Sequence, residues 1–142
     1  MNELQYFAQI ILSLFLGALL GWNRERGGKP AGLRTYALVC AGSALFTIIS
    51  SEGFGGSEPT RIAAQIVSGI GFIGAGAIIH RGDHIEGVTT AAGLWMAAGV
   101  GMAVGAQFYL LAILSTIVIA GVLFINDKKI VPEKPKLKKK KS

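Results

Sequence analysis

Five apolar stretches follow one another along this chain, at about residues 4–22, 33–50, 62–79, 88–104 and 108–125, each about 17–19 residues long. A helix rising 1.5 Å per residue needs roughly 20 apolar residues, and at least about 17, to cross hydrocarbon about 30 Å thick. The repeated length therefore predicts an all-α, polytopic transmembrane bundle of about five short helices. Between the stretches stand Gly27-Gly28-Lys29-Pro30, residues 53–59, residues 81–87 and Gly105-Ala106-Gln107. Pro30 suits the first turn of the second helix. The last break is short enough to force a tight antiparallel hairpin. Composition agrees: 51% of the residues are hydrophobic and 15% charged, against about 25% charged in soluble domains. Most of the 20 glycines lie within the apolar runs, where they let membrane helices approach closely. Residues 1–126 read as a transmembrane domain and 127–142 as a basic tail. The acidic start Met1-Asn2-Glu3 predicts a retained first span rather than a cleaved signal peptide.

The net charge of +6 is local: eight of the nine lysines fall between Lys128 and Lys141. This excludes a nucleic-acid-binding surface as a property of the fold and predicts attraction of the tail to anionic membrane lipid, about 1 kcal/mol per lysine near the surface. Arg24, Arg26 and Lys29 crowd the first loop, with Arg34 just beyond. Positive loops stay in the cytoplasm. Five spans then put the first loop and the tail on the cytoplasmic side and the amino terminus outside. Trp22 and Tyr36 fall at the inner interface, Tyr6 and Tyr109 at the outer. Cys40 is the only cysteine, which excludes an intrachain disulfide and a thiolate cluster.

Ser68 to Gly76 reads SGIGFIGAG and contains a formal GxGxxG. A dinucleotide fingerprint needs a strand before it and a helix after it; here the glycines sit inside one apolar run. Gly69, Gly71, Gly74 and Gly76 on the third stretch, and Gly17 and Gly21 on the first, read instead as helix-packing positions. That much small surface predicts a homo-oligomer, most simply a homodimer. Polar groups near membrane depth are costly unless partnered, so they mark function. They are Arg24 and Glu25 closing the first stretch, Arg34 and Thr35 opening the second, Gln65 in the third, and Thr89 and Thr90 opening the fourth. Glu25 and Arg34 are expected to pair across the glycine turn, with Thr89 and Thr90 donating to the same carboxylate and Arg24 left to face lipid phosphate or a partner. His80, Asp83, His84 and Glu86 resemble a metal set, but magnesium prefers oxygen ligands. Only Asp83 and Glu86 qualify, as weak candidates, so no metal site or cofactor is expected. No HExxH, GxSxG or Walker lysine is present, and the chain reads as not an enzyme.

The strings GWNRER from Gly21, AGLRTYALV from Ala31, RIAAQIVSGIGFIGAGAII from Arg61 and GVTTAAGLW from Gly87 resemble the MgtC/SapB family of bacterial membrane proteins, in order and spacing, over about residues 14–104. The resemblance implies an inner-membrane protein linked to magnesium limitation, acid stress and, in pathogens, survival inside host cells. It also implies modulation of other membrane proteins, ATP synthase among them. Arg24, Glu25, Arg34, Thr35, Arg61, Gln65, Thr89 and Thr90 match the family's motif positions; some members carry Asn where Thr89 stands. Many members continue into a soluble domain, whereas this chain ends in a lysine tail, so that domain's functions are not carried over. Two readings stand: a non-enzymatic membrane regulator, and a transporter or channel for magnesium or another cation. The first is favoured because no stretch carries a carboxylate at mid-depth, where cation paths usually expose acids or carbonyl rings.

Overall fold

A computed structural model describes residues 2–53, 59–81 and 84–125. Helix α1 (Glu3–Arg26) opens with a capping box: the Gln5 amide donates to the Asn2 side chain and the Asn2 amide to the Gln5 side chain, both at 3.1 Å. It closes in a Schellman turn. Gly28 takes φ +61°, and the amides of Gly28 and Lys29 donate to the carbonyls of Glu25 and Arg24 at 3.1 and 3.0 Å. Helix α2 (Leu33–Ile48) runs on into a single π-helical turn, Ile49–Gly53. Its cap is Gly32, so Pro30 lies in the connecting turn and not in the first helical turn expected of it. Helix α3 (Pro59–Gly76) starts on a proline, whose missing N–H costs nothing there.

Here the structure departs from the sequence reading. The third stretch stops being helical at Gly76. Strands β1 (Ile79–Arg81) and β2 (His84–Glu86) pair antiparallel, Ile79 opposite Glu86 and His80 opposite Ile85. The glycine-rich end of α3 is a poor helix former and the isoleucines after it favour strand. A small hairpin thus joins α3 to α4 (Val88–Gly105). A second Schellman turn links α4 to α5 (Tyr109–Phe124), with Gln107 at φ 67°. This is the tight hairpin expected. Helices α1 and α4, and α2 taken with its π turn, are long and apolar enough by length and composition to cross a membrane; α5 is a shorter apolar helix of 16 residues.

Small and polar residues share the interior with apolar ones, while many large apolar side chains face outward. On α1 the buried face carries Gln9, Ser13, Leu16, Gly17, Leu20, Gly21 and Arg24, while Phe7, Ile11, Phe15, Leu19 and Trp22 point outward. Lipid is as apolar as leucine, so no hydrophobic force drives the helices together; close packing and hydrogen bonds hold them. A Cβ at Gly17 would stand 2.5 Å from the Tyr36 carbonyl oxygen, and one at Gly21 2.6 Å from Leu33 Cα. Helix α4 sits at the centre, touching α1, α2, α3 and α5. Its stripe Gly93, Ala97, Gly101 and Gly105 is buried, and a Cβ at Gly101 would overlap the Cys40 carbonyl oxygen.

Candidate functional site

The end of the bundle where α1 finishes and α2 and α4 begin gathers most of the polar residues singled out from the sequence. Arg24 is buried, 4% exposed, and its Nη2 donates to Thr90 Oγ1 at 3.0 Å. Thr90 is fully buried in the first turn of α4, and its backbone carbonyl accepts from the Tyr36 hydroxyl at 3.3 Å. One node therefore ties α1, α2 and α4. Glycine makes it possible: a Cβ at Gly93 would overlap the Tyr36 hydroxyl and stand 3.1 Å from its Cζ. Arg24 Nε is buried, with no hydrogen-bond partner among the described residues.

Glu25 does something other than expected. Its Oε2 accepts from the Leu33 amide at 2.7 Å, the first amide of α2. The carboxylate thereby satisfies an orphan donor and meets the positive end of the helix dipole. Gly32 leaves the room, since a Cβ there would sit 2.8 Å from Glu25 Oε2. Arg34 is exposed, one residue past the amide that Glu25 holds. The Glu25–Arg34 pair expected from the sequence is thus replaced by a helix cap, and Arg24 points inward rather than at lipid phosphate. The threonines divide as well: Thr90 is buried on Arg24 and Thr89 exposed, while Thr35 is half-buried in the first turn of α2.

Gln65 and Arg61 lie on exposed positions of α3, near its start. Gln65 lines an apolar groove of about 620 Å³ between α2 and α3, with Leu38, Gly42, Phe46, Ile66 and Ile70. Of the packing glycines, Gly17 and Gly21 are consumed by α2, and Gly74 meets Ala91 at 3.5 Å. Gly69, Gly71 and Gly76 have nothing among the described residues within 4 Å of where a Cβ would stand. Glu86 is exposed in β2; Asp83 and the tail lie outside the described residues.

Sequence reading missed Tyr36, assigned to the interface and found fully buried. It also missed Gln9, whose Nε2 donates to the Tyr109 hydroxyl at 2.6 Å. A signal existed for the latter: Gln9, Ser13, Gly17 and Gly21 recur every fourth residue, marking one helix face.

The sequence profile of the MgtC family matches residues 10–129. The chain is 44% identical over 128 residues to YhiD of Escherichia coli K12, whose name links it to magnesium transport, covering 82% of this chain and 60% of that protein. It is 47% identical over 110 residues to Protein MgtC of Brucella abortus strain 2308, covering 78% of this chain and 46% of the relative. To Protein MgtC of Salmonella typhimurium LT2 it is 46% identical over 114 residues, covering 80% and 49%. The chain thus spans about half to three-fifths of the length of these relatives. No solved structure matches. A membrane bundle held by small residues, with this profile over most of its length, makes the chain a member of the MgtC family.

Proposed function

We propose that this protein is a non-enzymatic regulator of the bacterial inner membrane that acts by contact with other membrane proteins under magnesium limitation and stress. The observation that carries the reading is how the motif's polar groups are used. Arg24 is spent on Thr90 and Glu25 on the Leu33 amide, so the residues at this end clasp helices together rather than line a path for a cation. The groove beside α2 and α3 is walled mainly by apolar side chains, which suits contact with lipid or another helix better than passage of a hydrated ion. Self-association, the remaining part of this reading, uses the open Gly69 and Gly76 face of α3, because Gly17 and Gly21 are already packed within the chain. The amino terminus lies outside and the tail inside; reporter fusions at Ser142 and within residues 54–58 then report opposite sides.

The rival reading, a magnesium transporter, draws on the name of YhiD. Purified protein in liposomes loaded with a magnesium indicator separates the two. The regulator gives no flux above protein-free vesicles. Flux that saturates with magnesium overturns the proposal in favour of transport.

A further inference from the structure

Gln65 is a polar side chain in apolar surroundings. It stands in the second turn of α3, about 9 Å along the helix from Pro59, and lines the α2–α3 groove with Phe46 and Ile62. The side chain is exposed, and no hydrogen bond to its amide is made among the described residues. An unpaired amide is costly in lipid, and glutamines there hydrogen-bond across helices. An amide carries both donors and an acceptor, so one glutamine is the complement of another.

The helix geometry indicates where the second glutamine comes from. At about 100° per residue, Phe72 falls about 20° to one side of Gln65 on α3. Gly76 and Gly69 fall about 20° and 40° to the other side, with Ile62, Ile73 and Ile66 farther round; that is the side on which the groove and α2 lie. Two copies inserted in the same direction are related by a two-fold axis along the membrane normal. Such an axis sets Gln65 opposite Gln65 at one depth. It also sets the groove side of each α3 against the Phe72 side of the other. Phe72 is 86% exposed, a large side chain with no seat in its own chain. Gly69 lines the groove and has nothing among the described residues within 4 Å of where a Cβ would stand. One face therefore carries a knob, a hollow to receive it and a self-complementary amide between them. Those are the properties of a surface that pairs with itself.

We infer that a second copy of this chain docks α3 against α3 in parallel, with the two Gln65 amides hydrogen-bonded to each other and each Phe72 seated over the other copy's Gly69 in the α2–α3 groove. The inference rests on the self-association proposed above and adds to it the symmetry and the residues that make the contact.

The test joins disulfide trapping in membranes to the mass of the full chain in neutral detergent, followed by light scattering over a dilution series. Wild type, whose Cys40 is buried, gives no cross-link under mild oxidation, whereas Gln65→Cys gives a covalent dimer. Gly71→Cys does not, because position 71 is equally open but lies about 120° round α3 from Gln65, on the side away from the groove. Gln65→Leu only makes an exposed position more apolar, so the fold is kept. It raises the dissociation constant of the dimer about tenfold, the effect of two hydrogen bonds of average strength between membrane helices. Gln65→Asn keeps part of the affinity, since its amide still pairs, and Phe72→Ala weakens the dimer. Equal trapping at positions 65 and 71, or wild-type affinity in Gln65→Leu, overturns this interface and leaves self-association through another face standing. A monomeric wild type overturns both. Trapping of Gln65→Cys only to a chain of different mass means that another protein covers the face, which also overturns the proposal.

Discussion

Replacing Thr90 with valine keeps the side chain's shape and removes one oxygen atom. That oxygen accepts the 3.0 Å bond from Arg24 Nη2, and Thr90 is 0% exposed, so no water replaces it. Hydrogen bonds to charged groups contribute about 1.5–3 kcal/mol in soluble proteins. Bonds between membrane helices average about 0.6 and reach about 1.7 kcal/mol, because the unfolded chain in lipid also finds partners. Arg24 already holds one donor, Nε, without a partner among the described residues, and the substitution creates a second on the same buried cation. The upper part of the membrane range therefore applies. Thr90→Val should cost about 1.5 kcal/mol, roughly a tenfold fall in the ratio of folded to unfolded protein. Titration of the detergent-solubilised protein with dodecyl sulfate, followed by the fluorescence of Trp22 and Trp95, measures it. Thr90→Ser restores most of the loss. Thr89→Val, at an exposed position, stays within about 0.5 kcal/mol of wild type. A double-mutant cycle with Arg24→Met gives a coupling of about 1 kcal/mol or more. Wild-type stability in Thr90→Val, or equal losses at positions 89 and 90, would refute the assignment of this bond.

Gly17→Ala should destabilise the monomer itself by 1–3 kcal/mol, as overpacking does, because its Cβ would press on the Tyr36 carbonyl oxygen and Cys40; Gly42→Ala, with open space around it, should be neutral or stabilise by up to about 1 kcal/mol. Unfolding titrations of the two variants check this, and equal effects would sink it. Glu25→Ala should lower stability by about 1 kcal/mol or less, the size of a lost helix cap, and Glu25→Gln by less still, since an amide oxygen can still accept from Leu33. The exchange Glu25→Arg with Arg34→Glu should recover nothing over Glu25→Arg alone, measured by melting temperature; recovery would revive an ion pair between the two.

The sequence by itself determined the class of the molecule. Stretches of 17–19 apolar residues separated by polar breaks leave a chain few options in lipid, because every backbone polar group must be satisfied within a helix or a closed barrel. The glycine turn after α1 and the short α4–α5 connection were legible for a similar reason, since local chemistry sets such turns. The third helix was misjudged at its end because apolar isoleucines serve a strand as well as a span. Only the tertiary structure decided which polar residue meets which. Arg24 and Glu25 are neighbours in sequence, yet one turns into the bundle and the other out to cap α2; Thr89 and Thr90 part in the same way. A step of one residue rotates a side chain by about 100° around a helix of 3.6 residues per turn. Composition and spacing give the order of residues around each helix but not its rotation against its neighbours. In this protein that rotation follows from glycines at α1–α2 and α2–α4 crossings, where two backbones that no side chain separates come into contact.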